Sequence, residues 1–454
     1  MAVFSIIKKS QLEGAKRLDA EYYQPEYLAN IQKIKSSNFD MISNLLSRSI
    51  VTGTTPKRRD CRNDGTDIKF IKTDTLRVGQ IVFDEADCLP VKESRKNSEL
   101  KSGDIIVTII GATQDIVGRV ARVFPSDPKM NINQNVGLLR PKELSFSSYL
   151  SIFLQTKYGR GQLWQQSKQT EQVNLNCREV ENVLVPLPDK GFIREIDDLV
   201  ITSYNLIEQS KKIYSQAENL LLEELGLKEF ESEGGLWSVV KLSEVKKANR
   251  LDAEYFQPKY ENLESKIRKY KHDLLESVLE NVQAGFNSFT QPNKLFNYVE
   301  LSNINPSIGV IDGFSEVLGK EAPSRAKRVL KDGDVIVSSV EGSLGKVALV
   351  HKEQRDFLAS TGFFQFRSKD ILPEVLLVLA KSIVFQWQLE KRCAGTILTA
   401  VPKESIKDMP IPILPKPTQQ KIAELVRKSH ESRKKAKELL DSAKRKVEEL
   451  IEKK

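Results

Sequence analysis

The sequence is poor in cysteine and histidine, which supply the sulfur and nitrogen ligands of zinc sites. Its 454 residues contain four cysteines and three histidines, all scattered, and no Cys-x-x-Cys pair. A zinc site needs clustered sulfur and nitrogen ligands. The sequence therefore argues against a zinc site, and it offers no Ser/His/Asp or Cys/His pairing.

Long hydrophobic runs and nucleotide-binding signatures are also missing. No stretch of about 18 uncharged apolar residues occurs, so we expect no membrane span, and no signal peptide is recognisable, so we expect the cytoplasm. There is no GxxxxGK[ST] loop and no GxGxxG after a strand. The Asn/Asp-Pro-Pro-aromatic tetrapeptide of adenine methyltransferases is absent as well. Together these absences indicate a binding protein.

What the sequence does contain is a repeat. Arg17-Leu-Asp-Ala-Glu-Tyr-Tyr-Gln-Pro-Glu-Tyr27 returns 233 residues later as Arg250-Leu-Asp-Ala-Glu-Tyr-Phe-Gln-Pro-Lys-Tyr260. Such internal similarity indicates a duplicated structural unit. We interpret the motif as a structural clamp of charges and packed tyrosine rings, the alternative being a docking surface for a partner protein. A helix is expected to enter at each motif, interrupted by its proline.

Further landmarks recur in the same order. Leu100-Lys-Ser-Gly-Asp and the strand after it return as Leu330-Lys-Asp-Gly-Asp, at an offset of 230 residues. The later segments Val185-Pro-Leu and Ile411-Pro-Ile are 226 residues apart. Short alternating or apolar runs predict strands between these landmarks, followed by a helix at about 147–166. The offset shrinks in steps, which is expected when loops lose residues and strands do not.

Each copy ends in a long helical pattern, at about 193–226 and 419–452. Apolar or small residues recur there in alternating steps of four and three, which is a heptad seam. The small seam positions allow two helices to approach closely, so we expect the two helices to pair, the alternative being that each packs on its own domain. The predicted seam consists of Ile196, Val200, Ser203, Ile207, Ser210, Tyr214, Ala217, Leu221, Ile422, Val426, Ser429, Ala436, Leu440, Ala443, Val447 and Leu450.

These patterns predict an α+β protein with two tandem sheet-rich domains. Each domain is followed by a long helix, and the helices form an antiparallel coiled coil with pseudo-twofold symmetry. The expected segments are a first domain at 1–190, a central helix at 191–227, a linker at 228–235, a second domain at 236–416 and a C-terminal helix at 417–454.

The duplicated order of these motifs resembles the specificity (S) subunit of type I restriction-modification systems. The matching pieces are the Arg-Leu-Asp-Ala-Glu segments, Gly53-Thr-Thr-Pro56, the two Leu-Lys-x-Gly-Asp strands and the proline-rich segments before both helices. Pro417-Thr-Gln-Gln-Lys-Ile422 also resembles the family's Pro…Glu/Gln-Gln-x-x-Ile helix entry, which the first long helix, beginning at Gly191-Phe-Ile-Arg, lacks. The second domain departs from the pattern, with Gly285-Phe-Asn-Ser-Phe-Thr290 in place of a Gly-x-Thr-Pro loop.

The resemblance implies a subunit without catalytic activity. Each domain would be a target-recognition domain that reads one half of a bipartite sequence in double-stranded DNA. The paired helices would set the distance between the halves and dock two methyltransferase (modification) subunits, with motor-nuclease (restriction) subunits as optional further partners. No cofactor is expected in this chain, because S-adenosylmethionine, Mg²⁺ and ATP would be bound by the partner subunits.

Base reading and phosphate contact require amides, hydroxyls and cations on loops. For each such residue taken singly, an ordinary solvated loop position is the alternative. The candidates for DNA binding are Thr54, Lys57, Arg58, Arg59, Gln114, Asn133, Gln134, Asn287, Ser288, Gln291, Lys294, Ser339, Ser343 and Arg392.

Two other functions remain open from the residues alone. The first is a scaffold without a DNA role, which joins two proteins through the repeated segments; salt-dependent DNA retention would distinguish it. The second is a nuclease centred on Asp64, Asp67 and Lys69, which predicts magnesium-dependent cutting. The net charge of +9 permits a polyanionic partner but does not require one.

Overall fold

The computed structural model describes two compact units of mixed α and β structure. It covers residues 4–10, 12, 17–56, 68–83, 86–113, 115–169, 173–230, 239–368, 370–395 and 399–453. The first unit comprises Met1–Asn205 with Lys435–Lys454, and the second comprises Leu206–Lys434. The predicted α+β class and the two tandem sheet-rich domains are therefore confirmed. Within the described ranges, no helix is long and apolar enough to cross a membrane.

The first unit contains short strands, short helices and the first part of a long helix. Strands β1 to β14 are Phe39–Met41, Val51–Thr52, Ile68–Ile71, Leu76–Arg77, Gln80–Ile81, Asp87–Leu89, Ile105–Thr108, Ile110–Gly111, Val120–Arg122, Met130–Ile132, Val136–Leu139, Lys168–Gln169, Val173–Asn174 and Leu184–Pro186. Helices α1 to α6 are Pro25–Lys35, Ile42–Leu45, Leu144–Phe153, Lys157–Gln166, Cys177–Glu181 and Lys190–Glu224.

The second unit is built from the same kinds of element. Strands β15 to β26 are His272–Leu274, Leu279–Asn281, Leu295–Val299, Ile304–Asn305, Val310–Ile311, Ser315–Leu318, Ala326–Val329, Val335–Ser338, Val347–Leu349, Leu358–Ser360, Phe363–Ser368 and Pro410–Pro412. Helices α7 to α12 are Leu242–Ala248, Pro258–Lys269, Leu275–Val278, Pro373–Lys381, Ile383–Arg392 and Lys416–Glu452.

The two units share one sheet topology. The order β2-β11-β7-β9 in the first unit corresponds to β16-β25-β22-β23 in the second. A second sheet contains one parallel pair in each unit, β3 with β10 and β17 with β24. The antiparallel pair β1-β14 corresponds to β15-β26. The repeat in the sequence is therefore a repeat of strand order and pairing.

The repeated Gly-Asp pair forms the same turn twice. Gly103 and Gly333 have φ values of +86° and +82°, a backbone conformation that favours glycine. The next residue, Asp104 or Asp334, is buried and caps the turn by accepting a hydrogen bond from the amide of Lys101 (2.7 Å) or Lys331 (2.8 Å).

Each of these buried aspartates also forms an ion pair with an arginine. Arg140 lies 2.6 Å from Asp104, and Arg367 lies 2.8 Å from Asp334. Removal of one partner from such a buried pair is costly. The repeated Gly-Asp pair is therefore a structural feature that stabilises the turn at the start of β7 and β22.

Two sequence expectations about helices need correction. Pro25 and Pro258 begin α1 and α8 and do not interrupt helices. Proline is tolerated at the first helical position because the N–H that it lacks would have no partner within the helix. The single helix expected at 147–166 is two helices, α3 and α4. Thr156 caps the start of α4 by accepting a hydrogen bond from the amide of Gly159 (3.3 Å), and its hydroxyl donates to the carbonyl of Phe153 at the end of α3 (2.6 Å).

The long helices α6 and α12 pair in an antiparallel manner within each unit. In the first unit, Lys446 lies 2.7 Å from Glu195, and the Ser203 hydroxyl donates to the carbonyl of Ala436 at 2.8 Å. In the second unit, the hydroxyls of Ser210 and Ser429 donate to each other's carbonyls, both at 2.8 Å. Short side chains therefore allow backbone and hydroxyl groups of the two helices to meet directly.

Seam residues also join the hydrophobic core of each unit. Ile196, Val200, Ala443 and Val447 are buried in the first core. Tyr214, Ala217, Leu221, Ile422 and Val426 are buried in the second. The seam positions Ile207, Leu440 and Leu450 are half-buried. The helix pair is thus part of both folding cores.

A histidine pair fastens α12 to the second unit. His430 is buried; its Nε2 donates to the carbonyl of Ile308 (2.8 Å), and its Nδ1 accepts from Nε2 of His351 (3.0 Å). The Tyr214 ring is parallel to the His430 ring, with 6.4 Å between the ring centroids. Burial lowers the pKa of His430 to about 4, helped by the nearby charge of Lys381, and burial also lowers the pKa of His351.

The lowered pKa values of these histidines predict that the stability of the second unit depends on pH. Unfolded histidine titrates near 6.5, so the unfolded chain takes up the proton first as the pH falls. We expect the free energy of unfolding to be highest above pH 6.5 and to fall between pH 6.5 and 4, by about 2 kcal/mol at pH 5. Chemical denaturation at pH 7 and pH 5 measures the difference.

The variant His430→Gln is the matched comparison. Glutamine keeps an N–H that can face Ile308 but has no proton to gain in this range. The variant is expected to lose most of the pH dependence. An equal loss of stability at pH 5 in both proteins would contradict the assignment.

Candidate nucleic-acid interface

One end of the four-stranded sheet β2-β11-β7-β9 gathers the loops that carry the described candidate residues of the first unit. Strands β2 and β7 end there, and β11 and β9 begin there, because neighbouring strands are antiparallel. The amide of Gly53 donates to the carbonyl of Asn133 (3.1 Å), and that of Ile109 to Asn135 (2.9 Å). We call this end of the sheet, in either unit, the loop edge.

At the loop edge of the first unit, the loop that carries Thr54 meets the loop that carries Gln134. Gln134 is exposed and Thr54 is half-buried. The neighbouring Thr55 hydroxyl donates to the side-chain oxygen of Gln134. Gly53 allows this approach, because a Cβ there would lie 1.6 Å from the carbonyl oxygen of Ile132.

The remaining candidates of the first unit differ in placement. Asn133 is only 9% exposed, and its side-chain oxygen accepts from the amide of Asn135 (3.1 Å), so it shapes the turn that presents Gln134. Lys57, Arg58, Arg59 and Gln114 lie outside the described residues, as do Asp64 and Asp67 of the alternative nuclease site.

The loop edge of the second unit is formed in the same way. Strands β16 and β22 end there, and β25 and β23 begin there. Ser339 donates its hydroxyl to the carbonyl of Gly362 (2.9 Å), and Ser343 donates to Val340 (3.0 Å). Both candidate serines are half-buried and hold the loops in place.

A longer loop leaves this edge and carries the exposed candidates of the second unit. The amide of Gly285 donates to the carbonyl of Lys327 (3.1 Å), and the loop then runs to the start of β17. Asn287, Gln291 and Lys294 are exposed. Ser288 is buried, within the turn that Asn287 braces by accepting from the amide of Phe289 (3.1 Å).

Arg392 is engaged inside the second unit. Its guanidinium donates to the carbonyls of Ser405 (2.7 Å) and Gln388 (3.0 Å), and it lies 3.3 Å from Asp408 and 3.6 Å from Glu264. These contacts join the end of α11 to two neighbouring segments. The arginine side chain therefore supports the fold of the second unit.

The repeated Arg-Leu-Asp segment is a clamp in both units. Arg17 donates two hydrogen bonds to Asp19 (2.6 and 2.5 Å), and Arg250 donates two to Asp252 (2.8 and 2.6 Å). The hydrogen bonds from each arginine lower the pKa of its aspartate partner. Arg17 also donates to the carbonyl of Gln166 (2.9 Å), which joins the segment to the end of α4.

A comparison with protein families places the chain. The model of the type I restriction modification DNA specificity domain matches residues 48–219 and again residues 237–439. The chain belongs to this family. The two matches correspond to the two copies of the repeat, and both include the loop edge of their unit. The family is one of DNA specificity, and the chain is not an enzyme in its own right.

Among curated proteins, the specificity subunit of the type I restriction enzyme EcoBI from Escherichia coli is 30% identical over 127 residues. That match covers 28% of this chain and 25% of the relative, so it spans about a quarter of the relative's length.

Solved structures with low sequence identity were also found. The type I S subunit from M. genitalium has a TM-score of 0.41 and 12% identity, covering 91% of this chain and 95% of that one. The HsdS subunit from Thermoanaerobacter tengcongensis has a TM-score of 0.28 and 14% identity, covering 92% and 95%.

Reasoning from the sequence of this specificity protein missed a group of arginines at the β9 side of the first loop edge. Arg77, Arg119 and Arg160 lie far apart in the chain, on a hairpin, a turn and a helix. No spacing rule joins them, since only the fold brings the three elements together. The sequence offered no signal beyond their charge.

Proposed function

We propose that this chain is the DNA specificity subunit of a type I restriction-modification complex and reads an asymmetric, bipartite target. The observation that carries this proposal is the duplicated loop edge. The strand order at the loop edge is the same in the two units, whereas the exposed side chains differ. Gln134 is presented in the first unit, and Asn287, Gln291 and Lys294 in the second. Amide side chains pair with adenine and lysine with guanine in the major groove.

The alternative function, a protein scaffold without a DNA role, does not require loop edges with different side chains in the two units. A scaffold with duplicated docking sites needs equal surfaces in the two units. The loop edges are unequal, and this inequality favours the reading of two different half-sites. As a subunit that acts on DNA inside the cell, the chain is assigned to the cytoplasm.

Alanine substitutions at the exposed amides test the proposal. Gln134→Ala is expected to relax the base preference in one half of the target, and Gln291→Ala in the other, each at a cost of about 1–3 kcal/mol for the preferred base pair. The measurement is the methylation rate of the assembled complex on duplexes that carry single base changes in either half.

Gln32→Ala is the matched control, because Gln32 is an exposed glutamine on α1 of the first unit. Neither half-site preference should change in this variant. A scaffold would give identical base preferences in all four proteins. A variant that altered both halves equally would contradict the assignment of one half to each unit.

The second part of the proposal is that the Arg-Leu-Asp segments and long helices dock two methyltransferase subunits. The leucine of each segment projects into solvent, with Leu18 86% and Leu251 88% exposed. Ile6 and Val239, which are also 233 positions apart, are 91% and 86% exposed. An apolar surface that occurs twice with the same chemistry suits two copies of one partner. S-adenosylmethionine, Mg²⁺ and ATP would be supplied with these and any restriction subunits.

Charged substitutions at the two leucines test this docking. Leu18→Asp and Leu251→Asp are each expected to leave a complex with one methyltransferase subunit, and the double variant to leave none, because burial of an unpaired carboxylate opposes binding. Native mass spectrometry of the co-expressed subunits gives the stoichiometry.

The control is Val91→Asp, which charges an exposed valine of the first unit outside the repeated segment. This variant should keep two methyltransferase subunits. A double leucine variant that still carried two would show that docking uses another surface.

A further inference from the structure

The β9 side of the first loop edge carries a compact group of positive charge. Arg119 precedes β9 and donates from Nε to the carbonyl of Asp115 (3.1 Å). Arg160, on α4, donates from Nη2 to the same carbonyl at 3.3 Å. Two guanidinium groups therefore converge on one backbone oxygen.

A third arginine lies beside them. Nη1 of Arg119 also donates to the carbonyl of Leu76 (3.2 Å), the residue before Arg77 on strand β4. We call Arg77, Arg119 and Arg160 the arginine cluster. The three side chains come from a hairpin, a turn and a helix, so the fold rather than a local motif creates the cluster.

The positive charges of the cluster oppose one another. Burial and the charges of Arg77 and Arg160 lower the pKa of Arg119, and burial lowers the pKa of Arg160. The nearby carboxylate of Asp115 is 84% exposed and 3.8 Å from Arg160. Water screens such an exposed charge, so it offsets the repulsion only weakly.

The guanidinium of Arg160 also lies on a side chain that remains 24% exposed. Its planar face rests on the Trp164 ring, with the guanidinium carbon 4.6 Å from the ring centroid. Stacking and backbone contacts thus hold the group in one orientation, and a fixed guanidinium suits a phosphate oxygen.

We propose that the arginine cluster is a contact site for phosphodiester groups of the DNA backbone beside the half-site read by the first unit. This inference rests on the proposed function. The order of strands places the cluster at the β9 side of the loop edge and Thr54 with Gln134 toward the β2 side. Three strand spacings, roughly 14 Å, separate the two sides. Base reading and backbone contact would then occur on one continuous edge.

A purely structural role is the competing explanation, since Arg119 and Arg160 tie α4 and β4 to the turn before β9. The two explanations predict different results. A phosphate contact depends on charge and carries no base information, so its loss reduces the salt dependence of binding and leaves base preference unchanged. A structural tie depends on hydrogen-bond geometry, so its loss lowers thermal stability.

The test measures DNA binding by the complete complex, with its methyltransferase subunits, between 50 and 200 mM salt. Arg119→Gln and Arg160→Gln are each expected to flatten the slope of log K against log salt by about 0.9. The factor by which DNA affinity falls between 50 and 200 mM salt should then be roughly 3.5-fold smaller for each phosphate contact removed. Preference among half-site variants should stay as in the unaltered protein.

Charge-conserving and distant variants complete the design. Arg160→Lys should retain the slope, because lysine also contacts phosphate as a point charge. Arg194→Gln, which neutralises an exposed arginine on α6, should retain it too. Arg160→Lys and Arg160→Gln variants that both melt early with an unchanged slope would establish the structural role and overturn the proposal.

A second measurement needs no protein variant. Neutral methylphosphonates placed one at a time along the duplex should weaken binding of the unaltered complex at positions flanking one half-site, and Arg160→Gln should abolish one of these effects. No sensitive position would overturn the inference. If the DNA affinity of the unaltered complex did not change with salt, DNA binding itself would be refuted. Failure of the proposed function can therefore be distinguished from failure of this inference.

Discussion

The close antiparallel contact between α6 and α12 is the constraint on which the rest of this structure depends. Hydroxyls of Ser203, Ser210 and Ser429 donate to carbonyls of the opposite helix, each at 2.8 Å. Such contacts require small side chains at the seam, since larger ones would hold the backbones apart. The same helices contribute Val200 and Val447 to one core and Leu221 and Val426 to the other. A bulky residue at a serine position would therefore disturb both helix pairing and domain packing.

The features that are repeated in the two units and the features that differ between them lie in different parts of the structure. The clamp of Arg17 with Asp19, the turn at Gly103 and the buried Asp104 are repeated with nearly the same geometry in the second unit. The loop edges share strand order but not side chains. A duplicated framework with unequal loops is what the reading of two different half-sites requires.

Much of the framework was predictable from the sequence, because it repeats and because heptad spacing has a direct geometric meaning. The seam at Ser203, Ser210 and Ala436 is an example. The break between α3 and α4 was missed, since apolar periodicity continues across Thr156 and only the cap reveals the boundary. The roles of the two prolines were misjudged, because a proline can either end a helix or begin one, depending on its position.

The candidate site was less predictable for a physical reason. Residue type indicates what a side chain can bind but not whether another residue already binds it. Arg392 has the chemistry of a DNA contact, yet four neighbours inside the second unit engage it. Arg119 and Arg160 were overlooked because their proximity exists only after folding.

The central claim is that this chain alone chooses the DNA sequence on which its complex acts. Mapping of adenine methylation across the source genome, with and without the gene, tests that claim most directly. The account predicts that one split, asymmetric motif loses its methylation when the gene is deleted and regains it on complementation. An unchanged methylation map, in cells whose methyltransferase subunit is intact and expressed, would contradict it.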